Sequence, residues 1–267
     1  MKKKIQDAIV DMKSKVGRDS KHVYIYNETG EMFQGVSTVS SIVPKDWLSA
    51  WGAKEAVKAL GYSDYENDTV LAKEVLEKIK QCANVEEYIA ILKDAKGASA
   101  RKGKKALVDG TKGHKWLETY VESKINAKEL PSIPVGEALE RPIRQFLDWE
   151  SKEVDYWIAS EALVINPEKR YAGQLDAIYM SKSGRLCIAD FKFASHIGED
   201  YYLQTAGYAA TFESYGIKFE DRVIIRLPKT LETEEWDKET YQYKKIPNNI
   251  EVHIVPTKYE VDRDTFF

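Results

Sequence analysis

Cysteine is scarce in this chain and nowhere grouped. Cys82 and Cys187 stand 105 positions apart, and no Cys-x-x-Cys occurs, so neither a zinc site nor a disulfide framework is indicated. Long apolar runs are missing as well: none approaches the roughly 20 residues that span a bilayer. The opening "MKKK" leads into the acid-containing "IQDAIVDMKSK", unlike the apolar stretch of a secretory signal, and those early acids argue against a mitochondrial transit peptide. The expected location is the cytoplasm, with no membrane partner. There is no P-loop, no Gly-x-Gly-x-x-Gly after a strand, no Gly-x-Ser-x-Gly and no His-Glu-x-x-His. A net charge of −3 and a pI near 5.9 do not announce a polyanion-binding surface, although a local basic patch is enough for one.

What is present is an ordinary globular composition, 43% hydrophobic and 31% charged over 267 residues, long enough for one large domain or two small ones. Residues 1–20 are polar and read as helical or frayed. A hairpin turning at "NETG" follows. Pro44 opens a helical pattern through "KDWLSAWGAKEAVKAL", whose Trp47, Leu48 and Trp51 are expected to pack in a core, with base stacking as the alternative use. Two further helical patterns fill 69–95. The basic run Lys96, Arg101, Lys102, Lys104 and Lys105 leads into a helix over "GTKGHKWLETYVESKI". Such a run is a solvated face or a set of phosphate contacts, and Lys102, Lys104 and Lys105 are the DNA-binding candidates. A helix over "EALERPIRQFLDWESKE" precedes strands at 156–165, 171–180 and 185–193, a helix near 200–214, and strands in "RVIIRLP" and "EVHIVP".

The chemistry concentrates in "YAGQLDAIYMSKSGRLCIADFKFA", residues 171–194. Alternation puts Leu186, Ile188, Asp190 and Lys192 on one strand face and Cys187, Ala189, Phe191 and Phe193 on the other. A three-residue loop at 182–184 with Gly184 in the left-handed slot makes paired positions sum to 366. Asp176 then faces Asp190 with Cβ atoms about 5 Å apart. Two carboxylates so placed require a proton or a cation between them, and a divalent cation is the simpler answer at neutral pH. The plainer use of such charges is a solvent-exposed ion pair. Leu186 and Ile188 speak against it, because they make the same face apolar. A lysine beside a metal and within an apolar wall is expected to have a lowered pKa.

The order "GQLD", then "IADFK", resembles the metal-dependent nucleases of the PD-(D/E)XK superfamily, and most closely the RecB-type exonuclease branch that includes phage exonucleases and the mitochondrial genome maintenance exonuclease. "GTKGHKWLE" (110–118) is similar to that branch's upstream helix motif, and "QTAGY" (204–208) to its downstream Gln-x-x-x-Tyr motif. "VSTVSSIVPKDWLSAW" resembles the amino-terminal part of phage members. The second acid is Asp190 where many members carry Glu.

The resemblance implies a restriction-endonuclease-like α/β fold: a mixed β-sheet core flanked by helices, with a helical amino-terminal region and small hairpin over 1–108 and the nuclease core over 109–267. It implies Asp176, Asp190, Lys192, Gln204 and Tyr208 as catalytic residues. His114, Asp176, Asp190 and the Phe191 carbonyl become the ligands of Mg2+ or Mn2+. Glu118, one helical turn from His114, is a candidate to orient the imidazole. Glu161 is either a further ligand or a surface charge. Gln204 is expected near Lys192, with Tyr208 supporting the DNA or Lys192. Some relatives hold a four-cysteine iron–sulfur cluster, which this chain lacks the cysteines to hold. The implied activity is DNA hydrolysis, exonucleolytic at single-stranded or duplex ends, in bacterial or phage recombination, repair or replication, with proteins of those processes as candidate partners. A structure-specific or restriction endonuclease and a catalytically silent DNA-binding module of the same fold are the alternatives.

Overall fold

Apolar residues recur at helical intervals from the start of the chain, and Ile5, Ala8 and Met12 bury one stripe of helix α1 (Lys2–Lys15). The structure, a computed structural model, describes residues 1–19, 23–63, 67–237, 239, 242–255 and 259–267. After α1 come strands β1 (Val16–Arg18), β2 (Tyr24–Tyr26) and β3 (Met32–Gly35) and the short helix α2 (Val36–Ser40). Helices α3 (Trp47–Lys58), α4 (Thr69–Lys80), α5 (Val85–Lys96), α6 (Ala98–Asn126) and α7 (Glu140–Glu153) follow. Then come β4 (Val154–Asn166), β5 (Tyr171–Ser181), β6 (Leu186–Lys192), α8 (Glu199–Thr211) and β7 (Asp221–Arg226). The chain ends with β8 (Glu232–Asp237), β9 (Gln242–Pro247), β10 (Glu251–Ile254) and α9 (Tyr259–Phe266). The class is α/β, with a mixed sheet flanked by helices. No helix among the described residues is long and apolar enough to cross a membrane.

The chain forms two units. One comprises Met1–Val43, Asp109–Lys229 and Asn249–Phe267. Its sheet runs β1-β2-β3-β5-β6-β7-β10, with β4 also on β5. The β5–β6 ladder pairs Met180 with Leu186 and Ala177 with Ala189, the register expected from the turn, and Gly184 takes a φ of +79° in that turn. Both sheet faces are covered. Leu186 and Ile188 join a core with α1, α8 and α9 residues such as Met12, Leu203 and Phe266. Cys187, Ala189 and Phe191 join the opposite core with Leu117, Tyr120, Ile143 and Phe146 from α6 and α7. The alternation read from "LCIADFKF" is therefore that of a strand buried on both faces. This rules out the exposed ion-pair use of Asp190 and Lys192: Asp190 is 1% exposed.

The second unit comprises Pro44–Val108 and Thr230–Asn248. Asp68 caps α4 by accepting from Leu71 N–H at 2.9 Å, and Asn84 caps α5 by accepting from Glu87 N–H at 3.0 Å. The antiparallel pair β8–β9 belongs here. Core packing of Trp47 and Leu48 is not found: they are 47% and 44% exposed, and Trp51 is half-buried. Lys96 of the basic run ends α5, and Arg101, Lys102, Lys104 and Lys105 lie in the first turns of α6, which continues unbroken through Gly103 and Gly110. Each glycine costs a helix about 1 kcal/mol relative to Ala, and the helix-forming Ala, Lys and Leu around them outweigh that. The expected boundary at 108/109 is where this unit hands over within α6. Residues 1–43, however, go with 109–229, because β3 pairs with β5 and α1 packs on β4. Residues 230–248 go with 44–108.

Candidate active site

The site forms where β5 is left without a neighbour. β4 pairs with β5 along nearly its whole length. The other edge of β5 is shared, β3 taking Tyr171 and Ala172 and β6 taking Ala177 to Met180. Residues 173–176 fall in the gap. There the Asp176 side chain replaces the missing ladder: its Oδ2 accepts the Phe191 N–H at 2.7 Å. The Lys192 carbonyl is taken on the opposite edge by Leu227 N–H at 2.8 Å. Successive peptide groups of a strand alternate, so the Phe191 carbonyl is turned to the same edge as its N–H, beside Asp176.

The β5–β6 ladder ends at Ala177–Ala189, one position short of Asp176 and Asp190. Asp176 turns toward His114 and Glu161, while Asp190 turns toward Lys192. His114 Nδ1 lies 3.6 Å from Asp176 Oδ2. One donor atom each from His114, Glu161 and Asp176 lies within 4.8 Å of the others. The three come from α6, β4 and β5. Gly113 lets α6 approach, since a Cβ there would stand 2.4 Å from Phe193 Cζ, and the Phe193 ring meets the imidazole edge-on at 5.6 Å.

Glu161 is the residue the sequence left undecided, and the structure places it in this cluster. Ser160 pairs with Ala177 and Ala162 with Leu175, so Glu161 stands opposite Asp176. Its φ is +47°, a left-handed conformation that costs a non-glycine residue about 1–3 kcal/mol. Gln174 Nε2 donates to its carbonyl at 3.4 Å. Burial, Asp176 and Glu118 together push the Glu161 carboxyl up to about 8. Glu118 itself pairs with Lys115 Nζ at 2.8 Å. No hydrogen bond joins it to His114 among the described residues, so the expected orienting role is not what the geometry has.

A second group lies on the α8 side of the sheet. Lys192 Nζ donates to Asp190 Oδ1 at 2.9 Å and to Gln204 Oε1 at 3.2 Å, and it stands 4.6 Å from the Tyr201 ring centroid. Asp190 Oδ2 is 2.8 Å from the same ammonium but has no hydrogen-bond partner of good geometry. Gln204 Nε2 donates to the Tyr208 hydroxyl at 3.0 Å. Tyr208 is buried, so it supports Gln204 and is not a surface for DNA. Gly173 makes room for it, because a Cβ there would lie 2.6 Å from Tyr208 Cε1. Burial raises the Asp190 carboxyl against the pull of Lys192. For Lys192, burial alone would lower the ammonium, but Asp190 and Asp176 outweigh it and hold the group above its ordinary value.

Lys102, Lys104 and Lys105 lie in the second unit, where Lys102 pairs with Glu55 at 2.6 Å and the other two are exposed. Chemically, the first unit offers a borderline-hard donor set, imidazole nitrogen with carboxylate and carbonyl oxygens, and a buried carboxylate oxygen without a hydrogen bond. Such a set could hold a divalent cation. Burial first, and then repulsion from Asp176 and Glu118, raises Glu161, and a bound cation would relieve the repulsion.

No family model matches the chain, and no curated protein does. Among solved structures, one titled "Crystal structure of SSO0001" aligns over 57% of this chain and 71% of that one, at 13% identity and a TM-score of 0.24, a likeness that carries no argument.

Proposed function

We propose that this protein is a divalent-metal-dependent nuclease of the PD-(D/E)XK type that hydrolyses DNA phosphodiesters, acting as an exonuclease in phage or bacterial recombination, repair or replication. The observation that carries the reading is the convergence of His114, Glu161 and Asp176 beside the buried Asp190–Lys192 pair. The exonuclease branch is favoured by the resemblance of "QTAGY", and by the contact of Gln204 with Lys192 that such a motif would need.

His114, Glu161, Asp176, Asp190 and the Phe191 carbonyl are the residues that would hold the metal. When bound, a divalent ion supplies Lewis acidity toward a phosphate oxygen and acidifies the attacking water. The chain's own residues do the rest. Lys192 presents an ammonium beside the cluster, fixed by Asp190 and Gln204, to neutralise charge that builds on the phosphate. Tyr208 locks the Gln204 amide so that its carbonyl faces Lys192. Glu161, with its raised carboxyl, would have to give up its proton to serve as a ligand.

The test is incubation of the purified protein with end-blocked, linear and circular DNA, with and without Mg2+. Loss of linear DNA with survival of the circle is expected for an exonuclease, and cutting of the circle would identify an endonuclease. Full activity in chelator, or in Asp190→Asn, would end the metal-nuclease reading.

A further inference from the structure

Lys192 is held on several sides at once. Its side chain is 14% exposed, and its ammonium lies 2.9 Å from Asp190 Oδ1 and 2.8 Å from Asp190 Oδ2. It also donates to Gln204 Oε1 at 3.2 Å. A lysine that neutralises a phosphate must turn N–H groups from such acceptors to phosphate oxygens. An ammonium that does so hangs on a flexible four-carbon stem. A contact that attracts the charge without using up its donors would keep it in place.

Tyr201 supplies that contact. Its ring centroid is 4.6 Å from Lys192 Nζ, within the reach of a cation–π interaction. The negative face of the ring attracts the ammonium as a whole and binds no single N–H group. Tyr201 is half-buried in the first turn of α8, and such attraction is strongest where the cation is shielded from water. Its place in the sequence explains the geometry. Gln204 follows Tyr201 by three positions and Tyr208 follows Gln204 by four, so one helix face carries all three. They converge on Lys192: the Tyr201 ring lies against the ammonium, the Gln204 carbonyl accepts from it, and the Tyr208 hydroxyl fixes the Gln204 amide.

We propose that Tyr201 is a positioning residue for Lys192: the face of its ring keeps the ammonium at the cluster when the N–H groups turn from Asp190 to a substrate phosphate. This rests on the nuclease reading, in which Lys192 neutralises charge on that phosphate. The role belongs to the electrons of the ring face, not to the hydroxyl. The competing role is packing alone, a ring that fills space beside the Lys192 stem.

The experiment places phenylalanine and its mono-, di- and trifluorinated forms at position 201, adds Tyr201→Leu, and follows Mg2+-dependent cleavage of linear DNA. Fluorine draws electrons from the ring face and weakens its pull on a cation while the shape of the ring hardly changes. Tyr201→Phe should keep kcat within about threefold of the parent, and Tyr201→Leu should lose about tenfold with KM little changed. Along the fluorinated series log kcat should fall with each added fluorine. In chelator the Tm of the same series should fall in step, and that trend should vanish in the Asp190→Asn, Lys192→Met background, where the charge pair is removed together. A kcat that is flat along the series would return the ring to packing. Tyr201→Phe as slow as Tyr201→Leu would assign the role to the hydroxyl. A Tm trend that survives the loss of Lys192 would show that the ring acts elsewhere. Each of these overturns the proposal, and in each the parent still cuts, so the nuclease reading stands. A parent that cuts no DNA overturns both.

Discussion

Gly173→Ala is the change that probes most of the site with the fewest atoms. The added Cβ would stand 2.6 Å from Tyr208 Cε1 and 2.9 Å from Val36 Cγ2, where ordinary carbon contacts are about 3.5–4.0 Å. The tyrosine ring must then retreat by about 1 Å, which is the spacing to an ordinary contact. Its hydroxyl is 3.0 Å from Gln204 Nε2, so that retreat takes the pair beyond hydrogen-bond reach. Overpacking costs about 1–3 kcal/mol, and a buried hydroxyl left unpaired about 1–3 kcal/mol more. Relief of glycine's chain entropy returns about 0.5–1 kcal/mol. A net loss of about 1–5.5 kcal/mol follows from these terms, which for a chain of this size lowers Tm by on the order of 10 °C. Thermal unfolding in chelator measures it. Tyr208→Leu removes Cε1 but leaves Val36, so in that background Gly173→Ala should cost less than in the parent, the signature of a direct clash with the ring. A Gly173→Ala protein as stable as its parent, or an equal loss in both backgrounds, would refute the reasoning. So would full cleavage activity in a protein whose Gln204 has lost its tyrosine.

Two further outcomes are expected. Glu161 is pushed up to about 8 from its ordinary 4.5, burial being the largest cause. The native chain therefore keeps a proton that the unfolded chain has released, and metal-free stability should fall as pH rises between about 4.5 and 8. Glu161→Gln should flatten that fall, and Mn2+ should restore stability at alkaline pH in the parent more than in the variant. Parallel stability–pH curves for the two proteins in chelator would contradict this. Lys192→Met strands the buried Asp190 and should cost about 3–5 kcal/mol in urea unfolding, most of it recovered when Asp190→Asn is added. Simple additivity of the two losses would show that the ion pair is not the source.

The parts of the fold that were legible in the sequence are those set by local periodicity and turn chemistry. Gly184 and the two-residue alternation give the β5–β6 register to the residue. The helical spacing of Phe146 and Trp149, or of Leu117, Tyr120 and Val121, marks the faces that α7 and α6 bury. The Gln204–Tyr208 spacing places both groups on one side of α8, where they bond to each other. The amphipathic stripe of α1 was equally present in the sequence. It was obscured by the polar majority around Ile5, Ala8 and Met12, which carry no charge or motif to single them out.

What escaped is what depends on one side chain interrupting a regular element. Paired positions sum to 366 from Met180–Leu186 through Ala177–Ala189, and nothing in the hydrophobic pattern says that the ladder should stop there. It stops because the Asp176 carboxylate takes the Phe191 N–H, a local side-chain-to-backbone bond that competes with the sheet. The same opening exposes an edge of β5. Across the intact edge, Glu161 leaves the extended conformation and its carboxylate swings into the cluster. In "YWIASEALVIN" the only trace of this is a lone acid among apolar residues, which alternation alone reads as an outward charge. A pattern read strand by strand locates the acids. Which acid faces which cation is decided by where the strands part, and that follows from polar bonds between distant segments.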